Sequence, residues 1–329
     1  MKKTDNTPYD DVFRTLINDL PRITLLFINE MFSSVIPVKY EGNEKVEQLA
    51  NEQFLGQQDG VQEKRITDAR IKVRRNENDV RQFHLECQST PDGSILIRMF
   101  EYDSQIALQE SARGAQGITV NFPYSGVLFL RRELETSSVL CITINTPGGS
   151  VTYDIPVVKI GDYAVEDIVK KSLYFLIPFY LFKFENLILF EKDKGYIDEE
   201  RKSVLHREYS ALMDFLESSC KSGKITDYEK RSILDLAKKV HGNLAKDAAG
   251  VKKEVENIMG GRVLDYEAKD ILNRGRAEGR AEGRAEGRTQ QSVIVYRNCL
   301  NRGMSDEDAR AIAGLSADFD VQSALQQTV

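Results

Sequence analysis

The stretch RITDARIKVRRNENDVRQFHLECQ (65–88) decides the fold. Two runs rich in β-branched and aromatic residues, Arg65–Val73 and Val80–Gln88, flank the polar loop RNENDV and read as a β-hairpin. Strand side chains alternate, so Ile66, Asp68, Arg70 and Lys72 share one face and Thr67, Ala69, Ile71 and Val73 the other. In the second strand Arg81, Phe83, Leu85 and Cys87 oppose Gln82, His84, Glu86 and Gln88. Centring the loop on Glu77 pairs Ile71 with Phe83 and Ala69 with Leu85, which builds one apolar face. The same register sets Asp68 opposite Glu86.

That pairing carries the chemistry. Facing Cβ atoms lie about 5 Å apart, and like charges there destabilise a sheet. At an effective dielectric of 20, two unit charges 4 Å apart repel by roughly 4 kcal/mol. Either one carboxyl is protonated or a cation sits between them. A divalent metal is the economical answer, because Mg²⁺ takes oxygen ligands and is commonly held by one or two carboxylates with substrate phosphate completing its shell. Gln88 and His84 project on the face of Glu86. Arg98 and Tyr102, four residues apart on the next helix, could offer a cation and a hydroxyl to a phosphate. Each residue also has a bland reading, as an ordinary ion pair, a solvated strand face or a surface helix charge. Their joint placement on one side of a hairpin is what favours the metal.

Outward from the hairpin, residues 9–33 place Phe13, Ile17, Leu20, Leu25 and Ile28 at mostly helical spacings, with a break near Pro21. A helix is expected from about Ser94 to Arg113, followed by strands GVLFL (126–130), VLCITINT (139–146) and VTYDIPVVKI (151–160), with a turn at 147–149. Leu173–Phe190, interrupted by Lys183, Glu185 and Asn186, reads as a buried helix followed by a core strand, not a membrane span, which needs about 20 nearly charge-free residues. These elements indicate an α/β core over residues 1–195. Residues 196–273 read as a helical extension, with Thr226-Asp-Tyr-Glu229 as a capping box.

The order Asp68…Glu86-x-Gln88, then a helix with Arg98 and Tyr102, resembles the PD-(D/E)XK nuclease superfamily, and within it the recombination-promoting nuclease (Rpn) or transposase-like branch. YDDVFRTLI (9–17), RITDARIKV (65–73), FHLECQS (83–89) and IRMFEYDSQIA (97–107) carry the likeness. A terminal tetrapeptide repeat rich in Gly, Glu and basic residues also looks like that branch. The resemblance covers roughly residues 8–195. It implies a restriction-endonuclease-like core, a mixed β-sheet flanked by helices, and Mg²⁺-dependent hydrolysis of DNA phosphodiesters. Asp68, Glu86 and the backbone carbonyl of Cys87 would then ligate metal, with Asp68, Glu86 and Gln88 catalytic. Gln88 would stand where the superfamily has lysine, and Asp11 would match an N-terminal acidic position. Arg98, Tyr102 and His84 would meet phosphate. Thr67 replaces the proline of the motif name, and Gln88 cannot act as a general base, which shifts activation of water to the metal.

Composition sets limits on this reading. Against 45 Lys and Arg stand 51 Asp and Glu, a net charge of −6, which argues against a protein that coats nucleic acid generally. A nuclease concentrates carboxylates at its centre, however, and a local groove lined by Arg65, Arg70, Lys72 and Arg98 would bind DNA weakly and with strong salt dependence. The four cysteines lack metal-site spacing, and no GxSxG, P-loop or Cys–His signature is present. The N-terminal MKKTDNTPYDD turns acidic where a signal peptide turns apolar, so a cytoplasmic protein without membrane contact is expected.

Residues 274–288 contain the repeat GRAEGRAEGRAEGR. In a helix, Arg276, Arg280, Arg284 and Arg288 form one stripe and the glutamates another, so intrahelical i,i+4 neighbours are like-charged. Each glycine costs roughly 1 kcal/mol relative to alanine. A self-association helix making a homo-oligomer and a solvated linker are both consistent with the pattern. Residues 289–329 read as a small helical module, with Ser305-Asp-Glu-Asp308 opening its second helix. The rival to a nuclease is a nuclease-fold binding or assembly module that works through this helical C-terminus.

Overall fold

The computed structural model describes residues 7–260 except 38, 50–51, 57–61, 67, 90–92, 110, 115–116 and 132–136, and residues 292–319 except 294, 297–298, 301–303 and 317–318. The chain divides into two units, Met1–Gly261 and Arg262–Val329.

The hairpin organises the first unit. β4 (Ala69–Asn76) and β5 (Asp79–Gln88) pair antiparallel with Ala69 opposite Leu85 and Ile71 opposite Phe83, the register expected from the apolar alternation. The turn is tighter than RNENDV suggested: a bulge near Arg75 absorbs one residue, and Asn76 Oδ1 accepts the N–H groups of Asn78 and Asp79, both at 2.9 Å. The first strand is not continuous from Arg65. β4 begins at Ala69, and Gln62–Ile66 (β3) pairs instead with Glu52–Gly56 (β2).

Around the hairpin lies an open, mixed six-stranded sheet of order β1-β4-β5-β8-β10-β9, where β1 is Lys45–Gln48, β8 Tyr124–Phe129, β9 Val139–Thr146 and β10 Gly149–Lys159. β5–β8 and β8–β10 are parallel, and the other neighbours are antiparallel. Gly149 takes φ +146° at the β9–β10 turn, a conformation that favours glycine. A short separate hairpin pairs β6 (Ala112–Gly114) with β7 (Gly117–Thr119).

Helices flank the sheet. α1 (Pro8–Asp19) and α2 (Pro21–Met31) bury Phe13, Leu16, Phe27 and Ile28, with Pro21 opening the second helix rather than kinking one long one. Phe32, just after α2, meets the Phe83 ring at 5.2 Å, and a Cβ at Gly126 would lie 2.3 Å from Met31 Sδ, so this face of β5 and β8 is closed tightly. α3 (Ile95–Gln109) covers the opposite face, where Ile95 and Met99 pack with Val127, Phe129 and Ile155.

The apolar run after residue 173 contains no strand. Tyr174–Phe184 is a 3-10 helix and α5 is Glu185–Lys194; here α4 is the preceding Val165–Lys171. Tyr174–Phe182 is buried on every side, so its sequence has neither a period of 2 nor one of 3.6 to read, and Pro178 lacks the N–H that an α-helix would use. α6 (Glu199–Lys221) and α7 (Asp227–Leu244) follow, and the capping box expected at 226–229 is present: Thr226 N–H donates to Glu229 Oε2 at 2.7 Å and Thr226 Oγ1 accepts the Glu229 N–H at 3.1 Å. α7 packs on the 3-10 helix and α1, and helical residues 249–260 (α8) are anchored by Glu191 of α5. The segments on either side of residue 195 therefore share one packed unit.

In the second unit, Ser305 caps α9 (Asp306–Ala313) by accepting the Asp308 N–H at 3.2 Å. Tyr296 and Cys299 pack with Ala309 and Ala313. The repeat at 274–288 and the turn at Gly303 lie outside the described residues. Among the described residues no helix is long and apolar enough to cross a membrane.

Candidate active site around Asp68 and Glu86

Asp68 sits where β4 begins, and the ladder with β5 changes character there. The Asp68 N–H donates to Glu86 Oε1 at 3.1 Å, and Asp68 Oδ2 accepts the Cys87 N–H at 2.9 Å. Two side-chain-to-backbone bonds thus hold both carboxylates at one spot. Both are buried. Burial, followed by the charge of Glu86, pushes the Asp68 carboxyl up to about 8, although the Cys87 N–H and Arg14 pull it down. Arg14 of α1 pairs with Asp68 Oδ1 at 3.1 Å. The repulsion expected from sequence is offset by protonation, by Arg14 and by His84, so the polypeptide itself carries part of the compensation assigned to a metal.

His84 is fully buried and uses both ring nitrogens: Nδ1 lies 2.7 Å from Asp103 Oδ1 and Nε2 3.1 Å from Glu86 Oε1. Burial opposes its charge, but the hydrogen bonds to Asp103 and Glu86 outweigh burial and raise its pKa to about 9. Ser125 Oγ also donates to Asp103 Oδ1 at 2.7 Å. This is not a nucleophile triad, because the serine bonds the carboxylate and not the imidazole. His84, expected to meet phosphate, is instead sealed beneath Glu86.

The other expected residues divide. Gln88 is buried at the end of β5, two residues beyond Glu86, with its carbonyl accepting the Leu130 N–H at 2.9 Å. The Cys87 N–H donates to Asp68 Oδ2, and in a strand a residue's N–H and C=O project to the same side, so its carbonyl lies on the β4 side of β5. Tyr102 is buried, with its ring edge-to-face against His84 at 5.7 Å, and Arg98 is half-buried one turn earlier on α3. Arg70, expected in a DNA groove, turns inward to Gln109 Oε1 at 2.8 Å. Thr67 and the Arg65 side chain lie outside the described residues.

Asp11 is exposed on α1, and the charge of its neighbour Asp10 is among the influences that raise the Asp68 carboxyl. Asp10 closes the α1 capping box, with Thr7 N–H donating to its Oδ2 at 2.7 Å, and its pKa is raised, first by burial and in part by Glu86. Sequence reading also missed Arg14 and Asp103. Asp103 had a signal: it is an acid on the apolar stripe of Met99, Tyr102 and Ile106, and such a residue is buried only with partners. Arg14 had none, because its partner is 54 residues away.

Among the described residues no three His, Cys, Asp or Glu side chains are grouped to hold a metal ion. Mg²⁺ does not require three, since one or two carboxylates with waters and substrate oxygens suffice. Glu86 Oε1 is taken by His84 and the Asp68 N–H, which leaves Oε2 as the oxygen available to a cation. The donor set of Asp68, Glu86 Oε2 and the Cys87 carbonyl therefore suits a hard divalent ion. No family model, curated protein or solved structure matches the chain.

Proposed function

We propose that the chain is a divalent-cation-dependent DNA endonuclease with a restriction-endonuclease-like core, akin to the recombination-promoting branch of the PD-(D/E)XK nucleases. The observation that carries this reading is the mutual bracing of Asp68 and Glu86 at the opening of β4, in an open mixed sheet flanked by helices. Asp68, Glu86 and the Cys87 carbonyl would hold Mg²⁺, which supplies the charge that acidifies a water and steadies the leaving oxygen. Gln88 contributes an amide that can orient a water or phosphate oxygen without taking its proton. Arg14 holds Asp68 in place from α1.

Supercoiled plasmid incubated with the full chain and Mg²⁺ is the test. Nicking or linearisation is expected with Mg²⁺, abolished by EDTA, and reduced about 100-fold or more by Asp68→Ala or Glu86→Ala. Cleavage that survives both substitutions overturns the site assignment. Absence of cleavage with Mg²⁺ and Mn²⁺ alike overturns the activity.

A further inference from the structure

A buried polar chain lies behind Glu86. It starts at Ser125 on β8 and Tyr153 on β10, converges on Asp103 of α3, passes through His84 of β5 and ends on Glu86 Oε1. Ser125 Oγ lies 2.7 Å from Asp103 Oδ1, and the Tyr153 hydroxyl reaches Oδ2 at 3.5 Å. Asp103 and His84 have no exposed surface, and Ser125 and Glu86 are nearly as buried. Four secondary-structure elements thus supply polar side chains to one largely buried cluster. An apolar core would be cheaper, because each member must be fully satisfied to avoid a desolvation penalty.

We propose that Asp103 is a positioning residue that acts through His84 to fix the Glu86 carboxylate for a divalent cation; the inference rests on the endonuclease reading. Asp103 accepts from Nδ1 and so sets the ring plane of His84. His84 then presents Nε2 to Glu86 Oε1, where the Asp68 N–H donates as well. With Oε1 held twice, the carboxylate cannot rotate freely and Oε2 is the oxygen presented to the ion. The arrangement has the logic of outer partners that orient a metal ligand, except that the histidine is the intermediary rather than the ligand. Loss of such a partner typically weakens metal binding 10–100-fold.

Calcium and manganese titrations of the full chain by calorimetry test this without relying on turnover. Asp103→Ala should weaken both cations by about 10–100-fold. Asp103→Asn, which keeps an oxygen acceptor for Nδ1–H, should lose less, and Ser125→Ala less again. Proton NMR of the ring N–H groups should show the His84 Nδ1–H signal moved in Asp103→Asn and lost in Asp103→Ala. If Asp103→Ala does not fold, the Asn and Ser125 variants decide. A wild-type chain that binds cations alongside variants within twofold of it overturns the positioning role and leaves the endonuclease reading standing. A wild-type chain that binds neither cation overturns both.

Discussion

Asp68 and Glu86 grip each other through the backbone rather than merely facing across a hairpin: the Asp68 N–H bonds Glu86 Oε1, and Asp68 Oδ2 bonds the N–H of the residue after Glu86. The motif is a local end to the β4–β5 ladder, and it explains why β4 starts at Ala69 and not at Arg65. It also keeps two carboxylates together in a buried place, where neither solvent nor distance can separate their charges.

The first consequence is an alkaline weakness of the metal-free protein. The Asp68 carboxyl is pushed up to about 8 in the fold from the ordinary 3.8 of a free aspartate, so the folded state holds a proton that the unfolded chain releases. The stability linked to that proton is complete below about pH 4 and is lost as pH rises through about 8. His84, raised from 6.5 to about 9, adds a loss of the same sign at higher pH. In EDTA, wild-type Tm should fall between pH 6 and pH 9 more steeply than that of Asp68→Asn. A difference of about 1 kcal/mol would separate them by about 2–4 °C. Mg²⁺ should rescue the wild type at pH 9 but not the variant. Parallel melting curves in EDTA would refute the buried proton.

His241 predicts the opposite limb. It is buried between α6 and α7 with Nε2 accepting the Tyr209 hydroxyl at 2.9 Å, and burial drives its pKa down to about 3. The unfolded chain takes up a proton near pH 6.5 that the fold refuses, so this stability is complete above 6.5 and is lost as pH falls towards 3. His241→Gln should cost about 1–3 kcal/mol at pH 7.5 through the altered hydrogen bond. Between pH 6.5 and 4.5, however, its urea midpoint should decline less than that of wild type. An equal decline would assign acid sensitivity elsewhere.

Glu191 predicts a local effect. Its two oxygens accept the Gly250 and Val251 N–H groups at the start of α8, at 2.6 and 2.9 Å, which satisfies orphan donors of the helix from a different helix. Glu191→Ala should destabilise by about 1.5–3 kcal/mol, the range for hydrogen bonds to a charged group. Amide exchange should quicken first in residues 249–260. Gly250→Ala should reproduce part of this, because a Cβ there would lie 2.8 Å from Glu191 Oε1. Uniform acceleration across the first unit would show that α8 does not depend on this contact.

Much of the hairpin was legible because alternation has a period of 2 and a one-residue slip would invert every side chain. Ile71–Phe83 and Ala69–Leu85 followed from it directly. The Thr226–Glu229 cap was legible for a similar reason, since its partners are three residues apart. The 3-10 helix at Tyr174–Phe184 was not, because a segment apolar on all sides carries no periodic signal. Arg14 was not legible, because its partner Asp68 is 54 residues away in sequence.

The sequence by itself determined the register of the β4–β5 hairpin, the cap at Thr226 and the meeting of Asp68 with Glu86, all of which depend on contacts between near neighbours or on strict alternation. Only the tertiary structure decided what surrounds that pair: Arg14 arriving from α1, Asp103 from α3, Ser125 from β8 and the burial that raises Asp68 to about 8. Those partners come from elements whose docking is set by core packing, and an electrostatic environment is a sum over everything that packing brings close.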